Sequence, residues 1–281
     1  MTLETQSGGH METITFTKMS GAGNDFIMID ACSSDLHLPW SEKAASWCRL
    51  KTGIGADGLI VIAPHEECDF TMRIFNSDGS EADMCGNGAR CAALFARMQG
   101  LAGPEMRFMT KAGVIGAKVR ENRAAIEMTE PRDLACGMSV QADDEPLTVH
   151  FVNTGVPHAV LFTRDLDAEP VADLGRRLRY HELFAPTGTN VDFVEAAGGN
   201  VIRVRTYERG VEAETLACGT GAVASAIVSH RLGMVQAPPI TVKMPGGDLA
   251  VDFAANGSAY TSVWLDGPVD VVFKGEIDAR R

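Results

Sequence analysis

Cys85-Gly86-Asn87-Gly88-Ala89 is echoed 133 residues later by Cys218-Gly219-Thr220-Gly221-Ala222. A thiol placed identically in two halves of a chain supplies the parts for a symmetric reaction, with one acid and one base on opposite sides of a substrate. Each cysteine precedes a run of about fourteen residues that is apolar on nearly every side and stops at a glycine, Gly100 or Gly233. Such a run predicts a helix with its N-terminus at the cysteine. There the thiol sits among unpaired backbone N–H groups at the positive end of the helix dipole. That setting is expected to lower a cysteine pKa from about 8.5 toward neutrality, so that thiol and thiolate are both populated. The bare glycines Gly86, Gly88, Gly219 and Gly221 let a ligand carboxylate approach the N–H groups. Two such N-termini could grip one carboxylate and stabilise the charge that develops when the neighbouring carbon loses its proton. One thiolate would remove that proton while the opposite thiol delivers another to the far face, which inverts the carbon.

The echo extends beyond the cysteines. Gly21-Ala22-Gly23-Asn24 recurs at an offset of 134 as Gly155-Val156-Pro157-His158, and Thr52-Gly53-Ile54-Gly55-Ala56-Asp57 recurs at 135 as Thr187-Gly188-Thr189-Asn190-Val191-Asp192. Three landmarks in one order at nearly one offset indicate duplicated domains. Period-two segments at Ile14 to Lys18, Met106 to Thr110, Ile202 to Tyr207, Ile240 to Met244, Leu249 to Phe253 and Tyr260 to Leu265 predict short antiparallel strands. Surface helices are expected at Ser41 to Leu50 and Val171 to Tyr180, one per half. A helix apolar all round must be enclosed, so the helices after Cys85 and Cys218 are each expected inside the sheet of their own half. The fold class read from these patterns is α+β, with two pseudo-symmetric domains, each a mostly antiparallel β-barrel wrapped around a central helix.

Residues 1–10 are polar and aperiodic and are read as a disordered or added tail. The first domain is expected over 11–130 and the second over 131–267, with the crossover at Glu130-Pro131-Arg132. Asp266-Gly267-Pro268 breaks the pattern, and 268–281 is expected to return as a last strand to the first domain.

With 281 residues and 45% apolar content the chain can fill two ordinary cores. Its net charge of −12 argues against nucleic acid and anionic membranes as partners. No apolar run approaches membrane-spanning length and no charged-then-apolar leader is present, so a cytoplasmic protein is expected. Seven cysteines form no even framework, which reads as free thiols in a reducing compartment. Cys32, Cys48, Cys68 and Cys136 are expected to be small buried apolar residues. No Cys-x-x-Cys or His-x-x-x-His spacing suggests a metal, and none is expected. The two-thiol scheme requires no electron-sink cofactor, and no Walker loop or strand-linked Gly-x-Gly-x-x-Gly suggests a nucleotide, while spacing alone leaves a lysine Schiff base open.

With these residues in view, the chain after its tail resembles the diaminopimelate epimerase family over almost its whole length. The resemblance is carried by Lys18 to Phe26 (KMSGAGNDF), Thr52 to Gly58 (TGIGADG), Arg73 to Glu81 (RIFNSDGSE), Met84 to Cys91 (MCGNGARC), Gly188 to Phe193 (GTNVDF), Glu208-Arg209-Gly210 and Cys218 to Gly221 (CGTG). It implies a cofactor-independent enzyme that interconverts LL- and meso-diaminopimelate in lysine and cell-wall synthesis, with substrate bound between two similar domains. Homodimers are also implied. By position, Cys85 and Cys218 correspond to the acid–base pair. Asn24, Asn76, Asn190, Glu208 and Arg209 correspond to substrate ligands, and Gly86, Asn87, Gly219 and Thr220 to the backbone cradle of the reacting carboxylate. Arg209 can clamp a carboxylate, Glu208 can pair an ammonium, and the asparagines offer donors and acceptors to the distal end of the molecule.

One position departs from the family. Many members read Gly-Asn-Pro-His where this chain has Gly155-Val156-Pro157-His158, which removes a polar contact that a neighbour such as Asn153 could replace. His158 is retained and is expected at the edge of the site near Cys85, with a packed structural histidine as the alternative. Two rival readings carry different signatures. A proline or hydroxyproline racemase would follow its first catalytic cysteine with Gly-His, whereas Asn87 stands here. A noncatalytic thiol switch would have no use for the asparagines or the Glu208-Arg209 pair.

Overall fold

The computed structural model describes residues 13–33, 36, 38–142 and 145–280; the tail assigned to 1–10 lies outside them. The first half contains β1 (Thr13–Gly21), β2 (Asn24–Asp30), α1 (Trp40–Trp47), β3 (Gly58–Ala63), β4 (Phe70–Asn76), β5 (Glu81–Ala82), α2 (Gly86–Gln99), β6 (Glu105–Thr110), β7 (Gly113–Arg120) and β8 (Arg123–Glu127). The second contains β9 (Arg132–Ala142), β10 (Glu145–Asn153), β11 (Pro157–Phe162), α3 (Val171–Arg179), β12 (Asn190–Gly198), β13 (Val201–Glu208), β14 (Ala213–Thr215), α4 (Gly219–Arg231), β15 (Ile240–Met244), β16 (Gly247–Asn256), β17 (Ala259–Pro268) and β18 (Asp270–Asp278). A 3-10 turn at Glu182–Phe184 leads toward β12.

Strand pairing repeats between the halves. In the first, β2 and β3 run parallel around the crossover α1, and β4 and β6 run parallel around α2. In the second, β11 and β12 are parallel around α3, and β13 and β15 around α4. The other pairings are antiparallel, and β8 against β17 joins the halves into one continuous sheet. β18 returns to pair with β1 across the first half, in the place that β9 takes beside β10.

Each central helix is enclosed as its composition requires. From Asn87 to Ala96 every residue of α2 is buried, and from Gly221 to Ser229 every residue of α4. Gly100 and Gly233 end the helices with φ of 74° and 71°, a left-handed turn that glycine adopts without strain. The amides of Leu101 and Met234 then bond back to Ala96 and Ser229 at 2.9 and 3.0 Å. Helix α1 stops at Trp47, short of the expected Leu50, because the amides of Ile54 and Gly55 take its C-terminal carbonyl and turn the chain away.

Strand β3 shows how the layers are built. Ile60 and Ile62 face inward and join the cluster around α2, while Leu59 and Val61 face outward and join Trp40, Trp47 and Ala44 of α1. Both faces are apolar because both are covered. Leu59→Ala and Ile60→Ala, on opposite faces, should therefore each lower the free energy of unfolding by about 2–5 kcal/mol. Denaturant titration measures this, and a cost below about 1 kcal/mol for either would mean that its face is not packed.

Candidate active site

Cys85 and Cys218 are the N-cap residues of α2 and α4, each in extended backbone conformation (φ −140° and −117°) so that the side chain precedes the helix axis. The two helices approach each other, and the Glu208 carboxylate at the end of β13 lies within electrostatic range of both thiols. Cys85 is partly exposed and Cys218 is 6% exposed. The halves meet at the site: a Cβ on Gly23 of the first would stand 2.9 Å from the Leu216 side chain of the second.

The expected drop in cysteine pKa does not occur in this state. The N–H groups of Gly88 and Asn87 and the charge of Arg90 pull the Cys85 pKa down, but burial outweighs them and pushes it up, with Glu208 adding to the rise. Burial and the carboxylates of Glu208 and Asp192 push Cys218 up as well, against the Thr220 hydroxyl and the Gly221 N–H. The helix N-terminus acts as predicted, yet desolvation of a thiolate costs more than a few partial charges return. Burial likewise raises the Glu208 carboxyl above the usual range.

Behind Cys218 runs a buried chain of hydrogen bonds. Thr206 Oγ1 donates to Asp192 Oδ1 at 2.7 Å, and Asp192 Oδ2 lies 2.7 Å from His158 Nδ1. His158 Nε2 is 2.9 Å from Thr220 Oγ1, which is 3.4 Å from Cys218 Sγ. With Nδ1–H given to the carboxylate, Nε2 is left to accept from the Thr220 hydroxyl, whose oxygen can in turn accept from the thiol. His158 thus belongs to the Cys218 side in this state, not to the edge near Cys85.

The first half builds the matching chain from different groups. Asp57 Oδ2 accepts from Asn24 Nδ2 at 2.9 Å, Asn24 Oδ1 accepts from Asn87 Nδ2 at 2.7 Å, and Asn87 Oδ1 accepts from Arg90 Nη2 at 2.8 Å. A donor-only guanidinium at one end and a carboxylate at the other fix the orientation of both amides. Asp57 and Asp25 each accept the other's backbone N–H through a carboxylate oxygen, and the Asp25 carboxylate also pairs with Lys18 at 2.7 Å. Asp57, Asp192, Thr206 and Arg90 carry no role in the sequence reading. The first two occupy equivalent places in the repeat, and Arg90 is a charge inside an otherwise apolar helix; both signals are legible.

The remaining predicted residues fall into two groups. Gly86 and Gly219 open their helices beside the cysteines, while Asn87, 4% exposed, and Thr220 have their side chains engaged within the protein, which leaves their N–H groups at the helix N-termini as what they can offer a ligand. Asn190 is held as well: its Oδ1 accepts from the Arg209 backbone N–H at 2.8 Å and its Nδ2 donates to the Pro157 carbonyl at 3.1 Å. Among the described residues the Arg209 guanidinium reaches only the Thr187 carbonyl, at 3.4 Å. Asn76, at the end of β4, is exposed and donates to Ser80 Oγ at 2.9 Å across a turn. Asn153 does not replace the missing asparagine, because its Oδ1 caps the Gly155 amide at 3.0 Å. Among the other cysteines Cys48 is buried and Cys32 and Cys68 half-buried, but Cys136 is exposed: it sits in β9 beside Gly137, at the left-handed kink where that strand's pairing with β10 shifts register. Among the described residues no three His, Cys, Asp or Glu side chains gather as a metal set, and no helix is long and apolar enough to cross a membrane.

Two outcomes follow from this geometry. Asp192→Ala strips His158 and Thr206 of their buried partner and should cost about 3–5 kcal/mol in chemical unfolding. Because both site thiols are pushed above the ordinary cysteine value, both are protonated at neutral pH in the unliganded protein, and their thiolates form only as pH rises. Iodoacetamide labelling of each should therefore climb to midpoints above that of a free cysteine; a midpoint near 7 for both would contradict the dominance of burial.

The solved structures similar to this chain include a phenazine biosynthesis protein of the PhzF family from Bacillus anthracis (TM-score 0.72, 16% identity, covering 95% of this chain and 99% of that one). They also include a hydroxyproline epimerase from Agrobacterium vitis (TM-score 0.67, 14% identity, 94% and 92%). These likenesses establish the fold. Relatives named diaminopimelate epimerase are much nearer in sequence: that of Aquifex aeolicus is 44% identical, covering 93% of this chain and 97% of its own, and that of Methanothrix thermoacetophila is 42% identical, covering 95% and 97%. The diaminopimelate epimerase profile matches residues 16–134 and 150–272, so that both cysteine-capped helices fall within it, and the chain belongs to the diaminopimelate epimerase family.

Proposed function

We propose that this protein interconverts LL- and meso-diaminopimelate by a two-base reaction in which Cys85 and Cys218 stand on opposite faces of one α-carbon. The observation that carries the reading is the placement of two thiols at the N-caps of two enclosed helices, one from each half, both within the field of Glu208. One cysteine, as thiolate, takes the α-proton. The electron pair moves into the adjoining carboxylate, where the N–H groups of Gly86, Asn87, Gly219 and Thr220 meet the added charge. The other cysteine, as thiol, returns a proton to the opposite face, and the two sulfurs have exchanged protonation states.

The substrate carries an amino acid at each end. Glu208 pairs an ammonium and Arg209 a carboxylate, with Asn24, Asn76 and Asn190 completing the distal contacts. Asn76 and Arg209 have weak partners that a ligand displaces at little cost, whereas Asn24 and Asn190 offer only the donor or acceptor left over by their internal bonds. His158 serves through Thr220 rather than by touching the substrate. Closure of the halves on the substrate expels water and strengthens each of these interactions. The division of the chain into domains at 11–130 and 131–267, with 268–281 returning to the first, sets the hinge at the β8–β17 seam. A place in lysine and peptidoglycan-precursor synthesis, a cytoplasmic setting and a homodimeric assembly complete the proposal.

Substitution of the sulfurs tests it. Cys85→Ala and Cys218→Ala should each lower turnover by at least about 10²–10⁴-fold with the fold retained by circular dichroism. Serine at either position should leave far less activity than cysteine, because a hydroxyl is a much weaker base than a thiolate. Wild-type turnover in either alanine variant would end the two-base assignment.

A further inference from the structure

Arg90 is the fifth residue of α2, and its side chain points back toward the helix N-terminus, as a helical side chain must. It is 0% exposed, among the largest fully buried side chains of the molecule. One nitrogen, Nη2, is bonded to Asn87 Oδ1; Nε and Nη1 are buried without a hydrogen-bond partner among the described residues. The backbone of β17 covers the group, since a Cβ on Gly267 would stand 2.9 Å from Nε and 3.2 Å from Cζ. The nearby carboxylate on that strand, Asp266, is paired with Arg123 of β8 through Nε at 2.6 Å. The charged and titratable groups that face Arg90 are thus Cys85 and Cys91 of α2, Asp266 of β17 and Arg123 of β8. Asp270 of β18 acts on Cys91, whose thiol is pushed up to about 12 by its own burial.

Burying a guanidinium with so few partners is costly. The repeat contains its own control. At the offset of 133 that relates Cys85 to Cys218, the residue matching Arg90 is Val223, apolar and 0% exposed. The same helix in the same enclosure is therefore built without a charge, so packing alone does not call for one. The two cysteines consequently sit in unlike fields: Glu208 acts on both, but Cys85 has a buried cation beside it where Cys218 has a second carboxylate, Asp192.

We propose that Arg90 is a positioning residue for the reaction: its buried charge, with no carboxylate partner, is held behind Cys85 to stabilise that thiolate, which makes Cys85 the more acidic of the two site thiols and the first to give up its proton as pH rises. The proposal rests on the reading of Cys85 as an acid–base residue. Arg90 acts by two routes, neither of which brings it to the substrate. Its charge favours a negative sulfur, and its bond to Asn87 fixes the amide chain through Asn24 to Asp57 that frames the helix N-terminus. Closure on substrate removes water from the site and increases the first effect.

The test measures the pH dependence of iodoacetamide labelling of Cys85 and Cys218 separately, by peptide mass spectrometry, in substrate-free wild type, Arg90→Met and Arg90→Lys. Midpoints are compared instead of rates, so the greater accessibility of Cys85 does not enter. In wild type the Cys85 midpoint should lie below that of Cys218. In Arg90→Met the Cys85 midpoint should rise by about half a unit or more with Cys218 unmoved, and Arg90→Lys, which keeps the charge, should restore most of the shift. Turnover of Arg90→Met at neutral pH should fall about tenfold and recover as pH rises, with little change in KM. A wild-type Cys85 midpoint at or above that of Cys218 would overturn the proposal. So would a folded Arg90→Met with an unmoved Cys85 midpoint, or Arg90→Lys shifted as far as Arg90→Met. If Arg90→Met fails to fold, the wild-type order and Arg90→Lys, which must then keep the wild-type midpoint, decide the matter. Labelling needs no turnover, so full activity in Cys85→Ala would remove the catalytic reading of that cysteine while leaving the effect of Arg90 on its thiol to be judged by the midpoints.

Discussion

A thiol at the mouth of an enclosed helix is pulled in two directions, and the site is organised around that tension. Enclosure leaves the helix N-terminus as the place where unsatisfied N–H groups and a positive dipole meet the cleft, which favours negative charge. The same enclosure strips water from the sulfur, which opposes it. In the substrate-free protein the second effect is larger at both Cys85 and Cys218. Proton transfer between sulfur and carbon is then a transfer between a reluctant acid and a very weak carbon acid. A high thiol pKa narrows that gap, and a strongly acidic thiol would widen it.

Duplication gives the molecule two copies of this arrangement, and the copies have diverged where the chemistry differs. Asp57, Asn24 and Asn87 in one half match Asp192, His158 and Thr220 in the other, each set a hydrogen-bonded chain that ends at the start of the central helix. The first chain is made of amides and terminates in a buried guanidinium. The second contains an imidazole and a hydroxyl that reach the sulfur itself. A symmetric framework therefore presents its two thiols in unequal surroundings, which suits an enzyme whose substrate has two unlike faces.

Much of this was legible before any coordinates. The all-apolar runs after Cys85 and Cys218 required enclosure, their terminal glycines marked the stops, and the alternating segments became β1, β6, β13, β15, β16 and β17. Strands β3 and β12 left no alternating trace, because α1 and α3 cover their outer faces and both sides are buried: Leu59 and Val61 pack outward as firmly as Ile60 and Ile62 pack inward. At the site, the type and spacing of the cysteines conveyed the chemistry, but the direction of their pKa shift depended on burial, which spacing does not encode. Asn190 and Asn87 illustrate the same limit. Residue type announces a donor and an acceptor, while only the fold reveals that most of them are already committed to the backbone and to Arg90.

In the proposed reaction two sulfurs exchange roles across one stereocentre. Epimerisation of LL-diaminopimelate in heavy water, sampled before a tenth or so of the substrate has turned over, measures this most directly. Two separate acid–base groups predict one deuterium at the α-carbon of the inverted product and almost none in the substrate that remains. Deuterium entering the unconverted LL isomer as fast as it enters product would mean that a single group removes and returns the proton, and would contradict the account.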